Sequence, residues 1–108
     1  MNLADLEKLL AGVSESVFHY EAVGRSDQYI VWAEDSEGGS LNADDQKELQ
    51  VIQGTIDLFT KMEGDPLFQR IQKTMNENEV SWRLNSVQYE EETGYIHYEW
   101  VFEIEEVI

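Results

Sequence analysis

The 108-residue chain has no cysteine, a single proline and only seven lysines and arginines. Without cysteine there is no disulfide framework, no thiolate metal site and no cysteine nucleophile. No apolar run approaches the roughly 18 residues needed to span a membrane. The start MNLADLEKLL also lacks the basic residues and long apolar run of a signal peptide. We therefore expect a soluble chain without a membrane partner.

Sequence motifs of common catalytic and ligand-binding sites are absent as well. The phosphate-binding, dinucleotide-binding and zinc-protease patterns GxxxxGK[ST], GxGxxG and HExxH do not occur, and EDSEG lacks the spacing of a calcium loop. Of the two histidines, His97 shares a strand face with Glu99, and one interpretation of this pair is a metal site with carboxylates. Nothing in the sequence brings His97 and His19 together, however. We predict no enzyme activity, no cofactor and no metal, and interpret both histidines as ordinary strand residues.

The charge of the chain is its most unusual property. Twenty-three acids against seven bases give a net charge of −16, and such a chain repels nucleic acid phosphates and anionic lipids. The composition is nevertheless 42% hydrophobic and 11% aromatic, which is typical of a folded domain and not of an acidic disordered tail. We expect one domain whose acids keep it soluble, and a basic surface on any partner.

The first half of the chain predicts one helix and two strands. NLADLEKLLAGV has an apolar stripe at helical spacing, with Asn2 as N-cap and Gly12 at the end. SVFHYEAV and QYIVWAED have strand composition, and GRSD between them indicates a hairpin. Both faces of the second strand are apolar, which suggests a strand covered on both sides. The polar, glycine-rich loop Ser36–Asp45 is predicted to be disordered in the free protein and ordered in an assembly.

The second half predicts a strand, a helix and a final hairpin. QVIQGTIDLFT is a long central strand in which Gly54 marks a bulge or a close approach. The helix of GDPLFQRIQKTMNEN begins with Asp65 as N-cap and Pro66 in the first turn, and the last two strands meet near ETG. The order α-β-β-β-α-β-β indicates a single α+β domain. It has an antiparallel or mixed five-stranded sheet with two helices packed on one face.

The last strand alternates over nine positions. One face is apolar and should pack under the helix Asp65–Glu77; it carries Ile96, Tyr98, Trp100, Phe102 and Ile104. The other face is mainly acidic, with His97, Glu99, Glu103 and Glu105 beside Tyr95 and Val101.

Several segments of the second half resemble a known family. QGTIDLFT, DPLF and SWRLNSVQYEEETGYIHYEW are similar to the small tail-terminator proteins of long-tailed phages and prophages, also called tail-completion, neck, minor capsid or minor tail proteins. The resemblance covers Gln53 to Ile104, about half of the chain, and the first half matches only by element order. It implies an α+β sandwich and no catalytic residue to carry over.

The resemblance also implies an assembly. Such proteins form a ring, usually a hexamer, that caps the finished tail tube and presents a surface to the head connector, while DNA passes through the centre without specific binding. The expected location is the virion, after assembly in the cytoplasm of the bacterial host. The expected partners are other copies of the chain, the tail tube protein and the connector protein.

A ring that passes DNA should not hold the phosphates, because a basic wall would slow the duplex. We therefore expect the acidic face of the last strand, with Glu99, Glu103 and Glu105, or the acidic loops near Asp44 and Glu91, to face the lumen or its rim. Three alternatives remain open. The acids could form a plain solvated face. The chain could be an acidic module outside a virion, such as a DNA-mimic inhibitor, or another head-completion ring.

Overall fold

Two helices and five strands follow one another in the predicted order. The computed structural model describes residues 1–24, 26–39 and 48–108. The elements are α1 (Leu3–Ala11), β1 (Val17–His19), β2 (Gln28–Glu37), β3 (Leu49–Thr60), α2 (Leu67–Glu77), β4 (Ser81–Glu90) and β5 (Tyr95–Val107). All strands belong to one mixed sheet with the order β1-β2-β3-β5-β4. The predicted α+β class is confirmed, with β3 in the centre of the sheet.

Helix α1 begins and ends at the predicted residues. The Asp5 N–H donates to Asn2 Oδ1 and the Asn2 N–H donates to Asp5 Oδ2, both at 2.9 Å, so the two side chains form a capping box. The C-cap is Gly12, and Leu6 and Leu10 are buried. Local capping and an apolar stripe are thus sufficient to define this helix.

Helix α2 is held at its start by a buried carboxylate. Pro66 already has helical backbone angles, and the Leu67 N–H donates to Asp65 Oδ1 at 2.9 Å. The Thr60 hydroxyl and the Gln28 amide donate to Asp65 Oδ2 at 2.7 Å and 2.6 Å. Asp65 therefore caps the helix, as predicted, and also ties it to the ends of β2 and β3.

Both helices pack on one face of the sheet. The ring centroid of Phe68 on α2 lies 4.6 Å from that of Tyr98 and 5.5 Å from that of Trp100 on β5, and Trp100 Nε1 donates to Gln72 Oε1 at 3.1 Å. These contacts confirm the predicted packing of α2 on the apolar face of β5. The core between the layers includes Leu6, Leu10, Ile30, Trp32, Ile56, Leu58, Ile71, Met75, Trp100 and Phe102.

Gly54 marks a close approach of two strands. A Cβ atom at this position would lie 2.0 Å from the Ala33 carbonyl oxygen, so any side chain there would displace β2. The β-bulge next to it belongs to β2, where the register shifts between Glu34 and Ser36. Both features that the sequence suggested are therefore present, on facing strands.

The predicted hairpin of the first two strands is wrong, because β1 runs parallel to β2. Val17 is the register partner of Ile30, and the Ile30 N–H donates to the Ser16 carbonyl at 2.8 Å. After His19 the backbone turns away at Tyr20, whose φ is 71°, and the chain returns to start β2. The parallel register places Val17 against the core and leaves Glu21 exposed. Gly24, Ser26 and Asp27 therefore belong to a return connection and not to a hairpin turn.

The predicted loop Ser36–Asp45 starts too early. Strand β2 continues through Ser36 and Glu37, which are paired with Gln53 and Ile52 of β3, and the prediction for residues 40–45 lies outside the described residues. No helix in the described part of the chain is long and apolar enough to cross a bilayer.

Candidate functional site

The face of the sheet turned away from the helices, which we call the outer face, carries a group of aromatic rings and a group of ionisable side chains. Strand alternation and register place on it the odd-numbered residues of β3 and β5 and those of β2 before its bulge. Its central members are Val31, Thr55, Asp57, Phe59, Tyr95, His97, Glu99, Val101, Glu103 and Glu105.

One end of the outer face is aromatic. The rings of Tyr29 and Phe59 stack with centroids 4.8 Å apart, and Tyr95 meets them edge to face at 5.6 Å and 6.1 Å. The Tyr95 hydroxyl donates to the Ser26 carbonyl at 2.6 Å, which fixes the connection between β1 and β2. The second covered face predicted for β2 is therefore confirmed at Tyr29, which is buried by neighbouring rings.

A group of ionisable side chains lies next to these rings. Asp57 on β3 and Glu99 on β5 are direct register partners, and His97 Nε2 lies 2.6 Å from Asp57 Oδ1. The ligand atoms of Asp57, His97 and Glu99 all lie within 4.8 Å of one another. His97 Nδ1 is 3.9 Å from Glu90 Oε2, and the Phe59 ring stacks on the imidazole at 4.2 Å. We call Asp57, His97 and Glu99 the outer-face triad.

The carboxylates around His97 favour its protonated form. The hydrogen bond with Asp57 raises the pKa of His97; burial acts in the opposite direction, and the charges of Asp57, Glu90 and Glu99 add to the increase. The folded state therefore binds this proton more tightly than the unfolded chain. The resulting stabilisation is complete below the unfolded pKa and is lost as the pH rises through the folded pKa.

Glu99 is oriented by an irregularity in the edge strand. The register of β4 against β5 shifts between Leu84 and Ser86, which leaves Asn85 as the bulged residue. Asn85 Nδ2 donates to Glu99 Oε1 at 2.8 Å, and Arg83 Nη1 donates to Asn85 Oδ1 at 2.9 Å. The bulge thus holds the carboxylate of Glu99 in one orientation.

Comparison with known proteins gives no matching family model and no matching curated protein.

The acids predicted to face a lumen do not form a single cluster. Glu99, Glu103 and Glu105 lie on the outer face, as their spacing indicates. Glu91 lies in the turn between β4 and β5, separated from Glu105 by most of the length of β5, about 34 Å at ~3.4 Å per residue. Asp44 lies outside the described residues. The structure thus describes one acidic strand face and a separate acid at the hairpin tip.

The residue that sequence reasoning missed is Asp57. It is the only charged residue in the segment QVIQGTIDLFT. A single charge in an otherwise uncharged strand was the feature of the sequence that could have indicated a site residue. The alternation of β5 alone could link His97 with Glu99, but not with a residue of β3. Only the register of β3 against β5 places the second carboxylate beside them.

The other histidine has a simpler environment on the opposite face. His19 Nε2 lies 2.6 Å from Glu34 Oε1, and the imidazole stacks on the rings of Trp32 and Tyr20 at 3.9 Å and 4.0 Å. Within residues 1–24, 26–39 and 48–108, three potential metal ligands come together only in the outer-face triad. The two histidines remain apart, as expected.

Proposed function

We propose that the chain is a virion structural protein that forms a ring at the end of the tail tube of a long-tailed phage or prophage. The ring stops tube growth and joins the tube to the head connector. This proposal is supported by the resemblance of the segment from Gln53 to Ile104 to tail terminators and by an element order that agrees with theirs. Its partners are other copies of the chain, the tail tube protein and the connector, and DNA passes through.

The main structural support for a ring is that the two edges of the sheet differ from each other. In the described part of the chain, β4 and the three-residue β1 are the two outermost strands. Large apolar side chains with exposed fractions of 39–80% accompany both: Leu84, Val87 and Tyr89 on β4, and Tyr20 and Val23 just after β1. Exposed apolar edges favour pairing with another chain. A contact between two unlike edges is heterologous, and repeated heterologous contacts form a ring when the rotation between neighbouring copies closes.

The acidic outer face fits the passage of DNA. Glu99, Glu103 and Glu105 repeat along one strand, and on the adjacent β4 the nearest cation is Arg83, which is hydrogen-bonded to Asn85. A wall of this kind repels phosphates, so that the duplex slides. In the proposed ring these acids face the lumen or its rim. If they serve only to solvate the protein, reversing their charge will leave DNA passage unchanged.

Charge reversal separates these two roles. The variant Glu99→Lys, Glu103→Lys, Glu105→Lys is expected to give tails of normal length with DNA delivery reduced at least about tenfold, since lysines retain phosphates. The measurements are tail length by electron microscopy and DNA delivery by infection. The matched control reverses Glu7, Glu63 and Glu77, which are exposed and lie outside the outer face, and it should deliver normally.

Normal delivery by the folded outer-face variant would contradict the lumen assignment. Since Glu99 is hydrogen-bonded to Asn85, the double variant Glu103→Lys, Glu105→Lys provides the same test if the triple variant does not fold. Folding of each variant is checked by its circular dichroism spectrum.

A further inference from the structure

The outer-face triad contains an electrostatic conflict. Asp57 and Glu99 face each other directly across β3 and β5, and like charges at directly opposed positions destabilise a sheet. The side chain of Asp57 is only 15% exposed, so water screens the repulsion poorly. The hydrogen bond of 2.6 Å between His97 Nε2 and Asp57 Oδ1 partly offsets this repulsion, and a divalent cation bound between the two carboxylates in place of the shared proton would offset it more fully.

The types of ligand indicate which cation fits. Magnesium and calcium take oxygen ligands, whereas imidazole together with carboxylates suits zinc and neighbouring divalent transition metals. His97 presents a ring nitrogen within 4.8 Å of a carboxylate oxygen of Asp57 and of Glu99, and its Nε2 lies 2.6 Å from Asp57 Oδ1. Zinc bonds of about 2.0–2.2 Å bring ligand atoms to about 3.3 Å from one another. Rotation of these side chains on a fixed backbone brings the more distant ligand atoms closer, and it separates His97 Nε2 from Asp57 Oδ1, which are now 2.6 Å apart. Nε2 gives up the shared proton to solvent and binds the metal through its lone pair.

The surroundings have the features of an outer coordination shell. A histidine that binds a metal usually directs its other ring nitrogen towards a carboxylate, and His97 Nδ1 is 3.9 Å from Glu90 Oε2. Glu99 is held by Asn85 at 2.8 Å, and the imidazole plane is fixed by stacking on Phe59 at 4.2 Å. The two ligands on β5, His97 and Glu99, are therefore oriented by Phe59 and Asn85, which lie outside the centre of the triad.

The geometry points to a divalent transition-metal site of the zinc type formed by Asp57, His97 and Glu99. The three ligands lie on two paired strands of a continuous sheet. The chain's net charge of −16 raises the local concentration of cations around it. The site does not depend on the proposed ring function, and a bound metal would lock β3 to β5 at the middle of the outer face.

Titration of the full chain with zinc ions tests this inference. One zinc ion is expected to bind per chain by calorimetry, and the ring resonances of His97 should shift in NMR spectra while those of His19 do not. His97→Gln and Asp57→Asn are each expected to weaken binding at least about tenfold, because each variant removes a ligand. The matched control is His19→Gln, which removes a histidine that also lies 2.6 Å from a carboxylate but belongs to no triad.

The inference is overturned by any of three results. These are no zinc binding, binding that His97→Gln leaves unchanged, or binding that His19→Gln weakens as much as His97→Gln. Circular dichroism confirms that each variant is folded. The oligomeric state and the tail length are measured in separate experiments. A negative result for zinc binding is therefore distinguishable from a negative result for ring formation.

Discussion

Trp100→Ala is expected to lower the free energy of unfolding by about 3–5 kcal/mol, the usual cost of emptying a large aromatic core site. Trp100 is fully buried between α2 and the sheet. It packs against Phe68, and its indole N–H donates to Gln72. The substitution therefore leaves a cavity and removes a tie between the two layers. Urea unfolding followed by circular dichroism measures the change.

Tyr89→Ala is the matched control for this prediction. Tyr89 lies on β4 on the same side of the sheet but is 65% exposed, so its loss should change stability by less than about 1 kcal/mol. Equal destabilisation by the two variants would show that the layer contact at Trp100 does not dominate the core.

Asp65→Ala is expected to destabilise the fold by about 2–4 kcal/mol. The substitution removes the cap of α2 and leaves the buried Thr60 hydroxyl and the Gln28 amide without their acceptor. The same hydrogen bonds determine how stability depends on pH. Burial of Asp65 acts to raise its pKa, but hydrogen bonds from the Leu67 N–H, Gln28 and Thr60 outweigh burial and lower the pKa.

The lowered pKa of Asp65 determines the direction in which stability changes with pH. The stabilisation from Asp65 is complete above the unfolded pKa, about 3.9, and is lost as the pH falls through the lower folded value. Asp65→Asn can still cap the helix but has no charge, so it should destabilise less than Asp65→Ala and lack this acid-dependent loss. Unfolding curves between pH 7 and pH 2 provide the comparison. A wild-type protein whose acid sensitivity equals that of Asp65→Asn would contradict the assignment.

Local signals explain which parts of the fold could be predicted. The capping residues Asn2 and Asp65 and the alternation of β5 act over a few residues, and the structure follows them. The direction of β1 depends on where a three-residue strand meets β2 after an irregular connection. The turn composition of GRSD indicated a hairpin, but Val17, which is partly buried against the core, pairs with Ile30 in a parallel register.

The candidate site was predictable only within a single strand. Alternation placed His97 and Glu99 on one face, and it also separated the acids from the aromatic face of β5. The register that brings Asp57 to Glu99 and the bulge that turns Asn85 towards it are contacts between strands. Such contacts depend on pairing and not on spacing along the chain, so one sequence does not specify them.

The tail length of the phage or prophage that encodes the chain is the most direct test of the proposed function. When the chain is deleted, electron microscopy should show tail tubes longer than normal and not joined to heads. Supplying the wild-type chain should restore the length. Val87→Lys, Tyr89→Lys, which places charges at the apolar β4 edge, should not restore it. Tails of normal length attached to heads in the absence of the chain would contradict the proposal.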